Sequence, residues 1–299
     1  MVKYIGEGIR VKMATFYERV QKKLDNKILA KHIGNSSGGS SVSDDGKYPI
    51  FCKVASQNGF MFNHFRRNEI YNLILDHLSF EQGQQYLDEL KKKSGFDKIS
   101  ERISEYVKND TVGSPRKYVY NIGGREVSIS PTTLRYIKVL YDLKELFDMD
   151  SIKSVAEIGV GYGGQFRIIS ADHPMNAYYL IDLPEPLMLA KRYTGKFAGT
   201  EAARFVDGTT IKDSDVDSCD LVMSNYAYSE LVRVIQDSYF KKVIKKARHG
   251  YLTWNLESER KMDGYTVKEF TEKLEALGRE VKILEEHPLT AEGNCLIVW

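Results

Sequence analysis

Val155-Ala156-Glu157-Ile158-Gly159-Val160-Gly161-Tyr162-Gly163-Gly164 is the stretch whose reading decides the fold. A short apolar, β-branched run breaks into glycines and is followed by Gln165-Phe166-Arg167-Ile168-Ile169, the pattern of a buried strand turning tightly into a helix. Such a turn needs positive φ or a missing Cβ, so that the backbone can approach a ligand lying across the strand ends. The run is therefore read as a nucleotide-cofactor loop. Gly159, Gly161 and Gly164 also satisfy G-x-G-x-x-G, so the glycines alone leave open a nicotinamide cofactor or another adenosine-containing one.

Two neighbours narrow the choice. Tyr178-Tyr179-Leu180-Ile181-Asp182 reads as a second strand ending in a carboxylate about twenty residues after the loop, where a ribose diol would be gripped. Asp182, with Leu183 beside it, is thus a ribose-site candidate. Glu157, two residues before the first glycine, would repel a pyrophosphate and suits a ligand that brings an ammonium group to the loop. This favours S-adenosylmethionine.

Outward from the loop, the 299 residues allow one large domain or one core domain with a smaller appendage, and 42% hydrophobic content is that of a globular chain. A net charge of +2, with both signs interspersed, gives no bulk-electrostatic reason to expect nucleic acid, so the partner should be small. The first residues lack the apolar core of a signal peptide, and no stretch resembles a membrane span, so a cytoplasmic location is expected. Cys52, Cys219 and Cys295 are widely spaced and read as core thiols, not as a disulfide framework or metal cluster.

Upstream, residues 12–32 show helical periodicity through Phe16, Val20, Leu24 and Leu29, and Gly34–Gly46 is a glycine- and serine-rich stretch, a solvated linker or a lid. Helical patterns over Glu69–His77, Phe80–Lys93 and Lys98–Lys108 make residues 1–150 a mainly helical cap. It includes a β-hairpin over Lys117–Ile129 and a helix over Thr132–Phe147, with Ser130 as N-cap before Pro131. Within the cap, Gln57–Asn68 is dense in aromatic, amide, imidazole and guanidinium groups. Arg66 and Arg67 can each pair with a carboxylate or phosphate, and His64 is a candidate proton acceptor.

Downstream of Asp182, strands alternate with helices: Leu187–Phe197 helical, Ala203–Asp207 and Cys219–Asn225 extended, Glu230–Lys246 helical, Tyr251–Asn255 extended, Thr266–Leu277 helical. Glu280–Leu284 and Cys295–Trp299 are then joined by too few residues for a crossover helix, so the last strand must be antiparallel. The expected fold is α/β, a Rossmann-like seven-stranded, mostly parallel sheet with an antiparallel last strand over residues 151–299, plus the N-terminal mainly helical appendage.

From about Ser151 to Trp299 the sequence resembles the class I S-adenosylmethionine-dependent methyltransferases, whose sheet closes in this way, and the hairpin disfavours a nicotinamide oxidoreductase. Glu157-Ile158-Gly159-Val160-Gly161-Tyr162-Gly163 matches their cofactor loop, Asp182 their ribose acid and Asp207 the position that commonly meets the adenine. Ser224-Asn225-Tyr226 matches the end of the fourth strand, facing the transferred methyl group. Over the whole chain, Asn63-His64-Phe65-Arg66-Arg67-Asn68, Ser130-Pro131-Thr132-Thr133-Leu134-Arg135-Tyr136 and Asn225-Tyr226-Ala227-Tyr228-Ser229-Glu230-Leu231 resemble the sugar O-methyltransferases of bacterial surface-polysaccharide clusters. This implies S-adenosylmethionine as cofactor and a sugar or glycan hydroxyl as acceptor, with Tyr226 and Tyr228 on the acceptor side.

Methyl transfer to a hydroxyl is an in-line displacement, so the protein must align oxygen, methyl and sulfur, exclude water and supply a base. His64, Glu230 and His249 are the candidate bases. No compact carboxylate or histidine group with ligand spacing follows the fourth strand, so a metal-independent reaction is expected. Arg66 and Arg67 lead to the further expectation that the acceptor sugar is anionic and held by the cap. A module that binds the cofactor without turnover is the remaining alternative.

Overall fold

The structure, a computed structural model, describes residues 19–30 and 46–299. The glycine- and serine-rich stretch up to residue 45 and residues 12–18 and 31–32 of the first helical pattern lie outside the described residues, and residues 19–29 are helical.

The chain folds around a seven-stranded sheet of order β5-β4-β3-β6-β7-β9-β8, in which β3 is Ser154–Ile158, β4 Ala177–Asp182, β5 Ala203–Asp207, β6 Cys219–Asn225, β7 Ala247–Trp254, β8 Lys282–Glu285 and β9 Cys295–Val298. Strands β3 to β7 pair in parallel, and β9 runs antiparallel to both β7 and β8, as the terminal hairpin required. Alternate residues serve opposite faces: Leu221 and Met223 pack into one core, Val222 into the other, and Leu296, Ile297 and Val298 alternate likewise. Parallel pairing brings the carboxyl ends of β3, β4, β5, β6 and β7 to one edge. That edge is where open α/β sheets bind ligands.

Strands β1 (Tyr118–Ile122) and β2 (Arg125–Ile129) form the expected hairpin, turning at Gly123 and Gly124. Residues of the cap, including Phe51, Phe65, Leu87 and Leu140, share one apolar cluster with Val155 and Leu180 of the sheet. The cap is therefore fused to the sheet through a common core. Helix Phe80–Lys92 starts with a Ser79/Gln82 capping box, and helix Pro131–Leu146 starts at Ser130, whose Oγ accepts from the Thr133 N–H at 3.2 Å.

Several boundaries differ from the sequence reading. Strand β7 begins at Ala247, four residues before the apolar run at Tyr251, because Ala247, His249 and Gly250 are held by pairing with β6. The helix expected over Glu230–Lys246 is a 3-10 turn at Ala227–Glu230, a helix at Arg233–Lys242 and a second 3-10 turn at Ile244–Lys246. Three helices that the sequence reading did not contain, Tyr48–Gln57, Gly59–His64 and Leu256–Met262, are additional. Glu69–His77 becomes an α-turn at Glu69–Tyr71 followed by a π-helix at Asn72–Asp76, a rare form that often marks functional sites.

Candidate active site

A cavity of about 480 Å³, within the usual range for small-molecule sites, opens at the carboxyl edge of the sheet. Its floor begins at the glycine turn. The Gly159 N–H donates to the Ile181 carbonyl at 2.9 Å, tying the turn to β4, and Gly159 adopts φ +80°. A Cβ there would fall 2.0 Å from that of Ala227, in the segment after β6. Gly161 has φ +53°, and a Cβ on it would meet Leu75 of the π-helix at 2.4 Å. Both positions disfavour side chains through their positive φ, and at Gly159 the Ala227 Cβ leaves no room for one.

Asp182 closes this floor. Its two carboxylate oxygens accept from the Gly161 N–H at 2.9 Å and the Leu183 N–H at 2.7 Å, which aims the group across the loop. Burial pushes its pKa up to about 6 against the pull of the backbone N–H groups of Leu183, Gly161 and Val160. Glu157 accepts from the Tyr178 hydroxyl at 2.7 Å, and burial pushes it further, to about 8, with Asp182 repelling it as well. Neither carboxylate has an ion-pair partner among the described residues. Both line the cavity, beside Gly159, Gly161 and Leu183. Each therefore suits a ligand that brings hydrogen-bond donors or positive charge.

The other half of the cavity lies over β6 and β7. Here Asn225, Tyr226, Glu230, Asn255, Glu257, Thr290 and Asn294 make a wall rich in hydroxyl, amide and carboxyl groups. Tyr226 has φ +70° and ψ −40°, a conformation that costs a bulky residue on the order of 1–3 kcal/mol. It is fixed by its N–H donating to the Thr253 carbonyl at 3.0 Å and by its hydroxyl donating to Glu286. The strain places its ring at the end of β6, on the wall. Glu230 accepts from Asn255 Nδ2 at 2.9 Å, and burial raises its pKa despite that bond. The roof comes from the cap: Ile74, Leu75, His77, Leu78, Gln82, Arg135 and Tyr136. Burial and then the Arg135 charge hold His77 below its ordinary value, so it is neutral at pH 7.

Among the residues expected from sequence, Glu157, Gly159, Gly161, Asp182, Leu183, Asn225, Tyr226 and Glu230 meet at this cavity. The rest do not. Gly163 packs against Thr194, which a Cβ would meet at 2.9 Å. Asp207 accepts from the Thr209 N–H and hydroxyl at 2.8 and 2.6 Å, so it shapes the turn whose Gly208 and Thr209 reach the cavity. The Tyr228 hydroxyl donates to the Gln236 carbonyl at 3.2 Å, and its ring packs on Phe270 in the core of the opposite sheet face. His249 sits near the start of β7, at the far end of the sheet, beside the ring of Phe147. His64 pairs with Asp25 at 2.8 Å and, with Arg67, borders a separate cavity of about 260 Å³. Arg67 is exposed and donates to the Ser114 carbonyl at 2.7 Å.

Arg66 corrects the sequence reading most sharply. It is fully buried, and its five N–H groups are all engaged: two reach Asp76, and the others reach the Asn109 carbonyl, Asp110 and Ser130. No donor remains for a substrate. The fork instead ties the end of the π-helix to the N-cap of the helix that carries Arg135. His77, Gln82, Arg135 and Asn255 were missed because each sits in an ordinary helical or strand-end pattern that gives no sign of facing a ligand. Arg135 belongs to the run Ser130–Tyr136, but nothing in its spacing sets it apart.

Among the described residues no group of three or more His, Cys, Asp or Glu is placed to hold a metal, and no helix is long and apolar enough to cross a membrane. Cys52 and Cys219 are buried and Cys295 half-buried, all as free thiols.

No protein-family model matches the chain, and no curated protein matches it. Among solved structures, it is similar to the methyltransferase domain of bacterial-CtHen1-C, with 15% identity and a TM-score of 0.42 over 55% of this chain and 95% of that one. It is also similar to M. capricolum TrmK in complex with S-adenosyl-homocysteine, with 15% identity and a TM-score of 0.37 over 54% and 66%. The N-terminal domain of human METTL16 in complex with SAH is similar at 16% identity and a TM-score of 0.38 over 58% and 71%.

Proposed function

We propose that the protein is an S-adenosylmethionine-dependent O-methyltransferase acting on a hydroxyl of a sugar or glycan, with a role in bacterial surface-polysaccharide synthesis. The observation that carries the cofactor is the pair of acids without an ion-pair partner among the described residues, buried Glu157 and half-buried Asp182, facing one cavity across a glycine turn. Asp182 would receive the two ribose hydroxyls on its remaining lone pairs, and Glu157 would meet the ammonium group. A nicotinamide dinucleotide would instead set a pyrophosphate against the Asp182 carboxylate, at a turn where the described residues place no lysine or arginine. When bound, the cofactor supplies a methyl group on a sulfonium.

What supports a polyhydroxylated acceptor is the set of amides, hydroxyls and carboxyls over β6 and β7, from Asn225, Tyr226, Glu230, Asn255, Thr290 and Asn294, set among the apolar Leu231 and Ile235. Tyr226, fixed in its strained conformation, would position the acceptor at the end of β6. Glu230 is the base this geometry favours. It stands four residues beyond Tyr226, and its raised pKa makes its carboxylate a stronger proton acceptor than an ordinary one. His77, neutral at pH 7, is the second group on that side able to take a proton. The Leu75 and Leu78 side chains of the roof would exclude water from the sulfonium.

The test is release of S-adenosylhomocysteine from S-adenosylmethionine with a panel of sugars, run beside Glu230→Gln and His77→Gln. Turnover that fails in Glu230→Gln but persists in His77→Gln supports the assignment. Cofactor binding without turnover on any hydroxylated acceptor would favour a non-catalytic module.

A further inference from the structure

Arg135 is the one lysine or arginine among the described residues that line the cavity. It lies on the helix Pro131–Leu146 and also borders a small recess that continues from the cavity toward Tyr251, Thr253 and Leu296 of β7 and β9. Lys138, one turn further along the same helix, is paired with Asp142 at 2.6 Å. Arg135 has no such partner: no described carboxylate lies within ion-pair distance of it. Its surroundings are aromatic, with Tyr86, Tyr136 and Tyr226 nearby and the Tyr136 ring centroid 5.5 Å from its guanidinium carbon. Glu286 shares the recess, but its oxygens are taken by the Tyr226 hydroxyl and by the N–H and hydroxyl of Thr290. A half-buried guanidinium with no carboxylate paired to it keeps a forked set of donors and a positive charge that match a planar carboxylate or a phosphate, even with Glu286 in the same recess.

We infer that the acceptor carries an anionic group, a carboxylate or a phosphate, and that Arg135 binds it on the β7 side of the cavity. This rests on the acceptor half of the reading above. The location separates this anion from the cofactor. Asp182 and the glycine turn lie at the ends of β4 and β3, whereas the recess bordered by Arg135 is walled by Asn225 of β6, Thr253 of β7 and Leu296 of β9, on the other side of β3 in the sheet. The anionic acceptor expected from Arg66 and Arg67 is thus reached through a different arginine. Arg66 contributes indirectly, by fixing Ser130 at the start of the Arg135 helix.

The experiment is calorimetric titration of the full chain, with and without saturating S-adenosylhomocysteine, using glucuronate, glucose 6-phosphate and glucose as probes. At least one anionic probe should bind about tenfold or more tightly than glucose, the scale of a charge-assisted bidentate contact. Which of the two wins identifies the carboxylate or the phosphate. Arg135→Gln should erase the preference while changing S-adenosylhomocysteine affinity by less than about threefold, and Arg135→Lys, which keeps the charge but not the fork, should keep part of it. A thermal melt of each variant checks folding, and the lysine variant carries the test if the glutamine variant does not fold. Equal affinity for all three probes, or a preference that survives Arg135→Gln, overturns the inference. So does a loss confined to S-adenosylhomocysteine, which would give Arg135 to the cofactor's carboxylate. Absence of S-adenosylhomocysteine binding by the unaltered protein contradicts the methyltransferase reading instead, and the titrations run without it still decide the anion subsite by the same criteria.

Discussion

The floor and the roof of the cavity are made by different means. The floor is a single glycine turn joined to its neighbouring strand: Gly159 bonds to Ile181, and Gly161 bonds to Asp182, 21 residues away. The roof is assembled from distant parts by Arg66, whose donors join Asp76, Asp110 and Ser130 at separations of 10, 44 and 64 residues. A ligand site whose parts lie close in sequence can be recognised from residue types and spacing. A site held by a long-range clamp cannot, because an arginine that holds the roof and one that faces the ligand look alike until they are placed.

This contrast is most exposed at Arg66. Arg66→Ala would leave Asp76 and Asp110 buried without their shared cation, and such a loss typically costs about 3–5 kcal/mol. Urea denaturation should show it, with the roof and acceptor binding failing before the sheet does. Near-unchanged stability would break the distinction between clamp and ligand arginine. Next in size is Glu230→Gln, for which turnover should fall roughly 10²-fold or more while cofactor affinity holds, as expected for loss of a general base. On the floor, Asp182→Ala should weaken S-adenosylmethionine binding by roughly ten- to a hundredfold, since a buried diol would lose its charged acceptor. Gly161→Val should do at least as much, through its Cβ clash with Leu75. Both variants should keep their secondary structure by circular dichroism.

How far the sequence was legible follows the same division. The parallel sheet, the antiparallel β9 and the hairpin of β1 and β2 were readable because strand periodicity, glycine turns and connection length are local signals. That Glu157, Gly159, Gly161 and Asp182 come together at one cavity was legible for the same reason. His249 failed because distance along a strand decides which end of the sheet a residue reaches, and β7 begins earlier than its apolar run suggests. Tyr228 failed because residues two apart after β6 point to different sides: Tyr226 stays on the cavity wall through its unusual φ, while Tyr228 turns into the core. His64 met Asp25, a partner 39 residues away that no local pattern announces.

The smallest expected effect concerns pH. Glu157 titrates near 8 and Asp182 near 6 in the folded chain, both above the ordinary carboxylate values of 4.5 and 3.8. Between the ordinary and the raised values the folded protein holds protons that the unfolded chain has released, so stability falls as pH rises through that window and levels off above it. Glu157→Gln should flatten the decline between pH 6 and 8 in melting curves. An unchanged slope would place the raised pKa elsewhere.

The account's central claim is that the glycine turn, Glu157 and Asp182 form a site for S-adenosylmethionine. Calorimetric titration of the unaltered protein with S-adenosylmethionine, S-adenosylhomocysteine and NAD tests it most directly. The account predicts one-to-one binding of the first two, weakened in Asp182→Ala, and no binding of NAD. Binding of NAD in their place, or affinity for the sulfur-containing pair that is indifferent to Asp182, would contradict it.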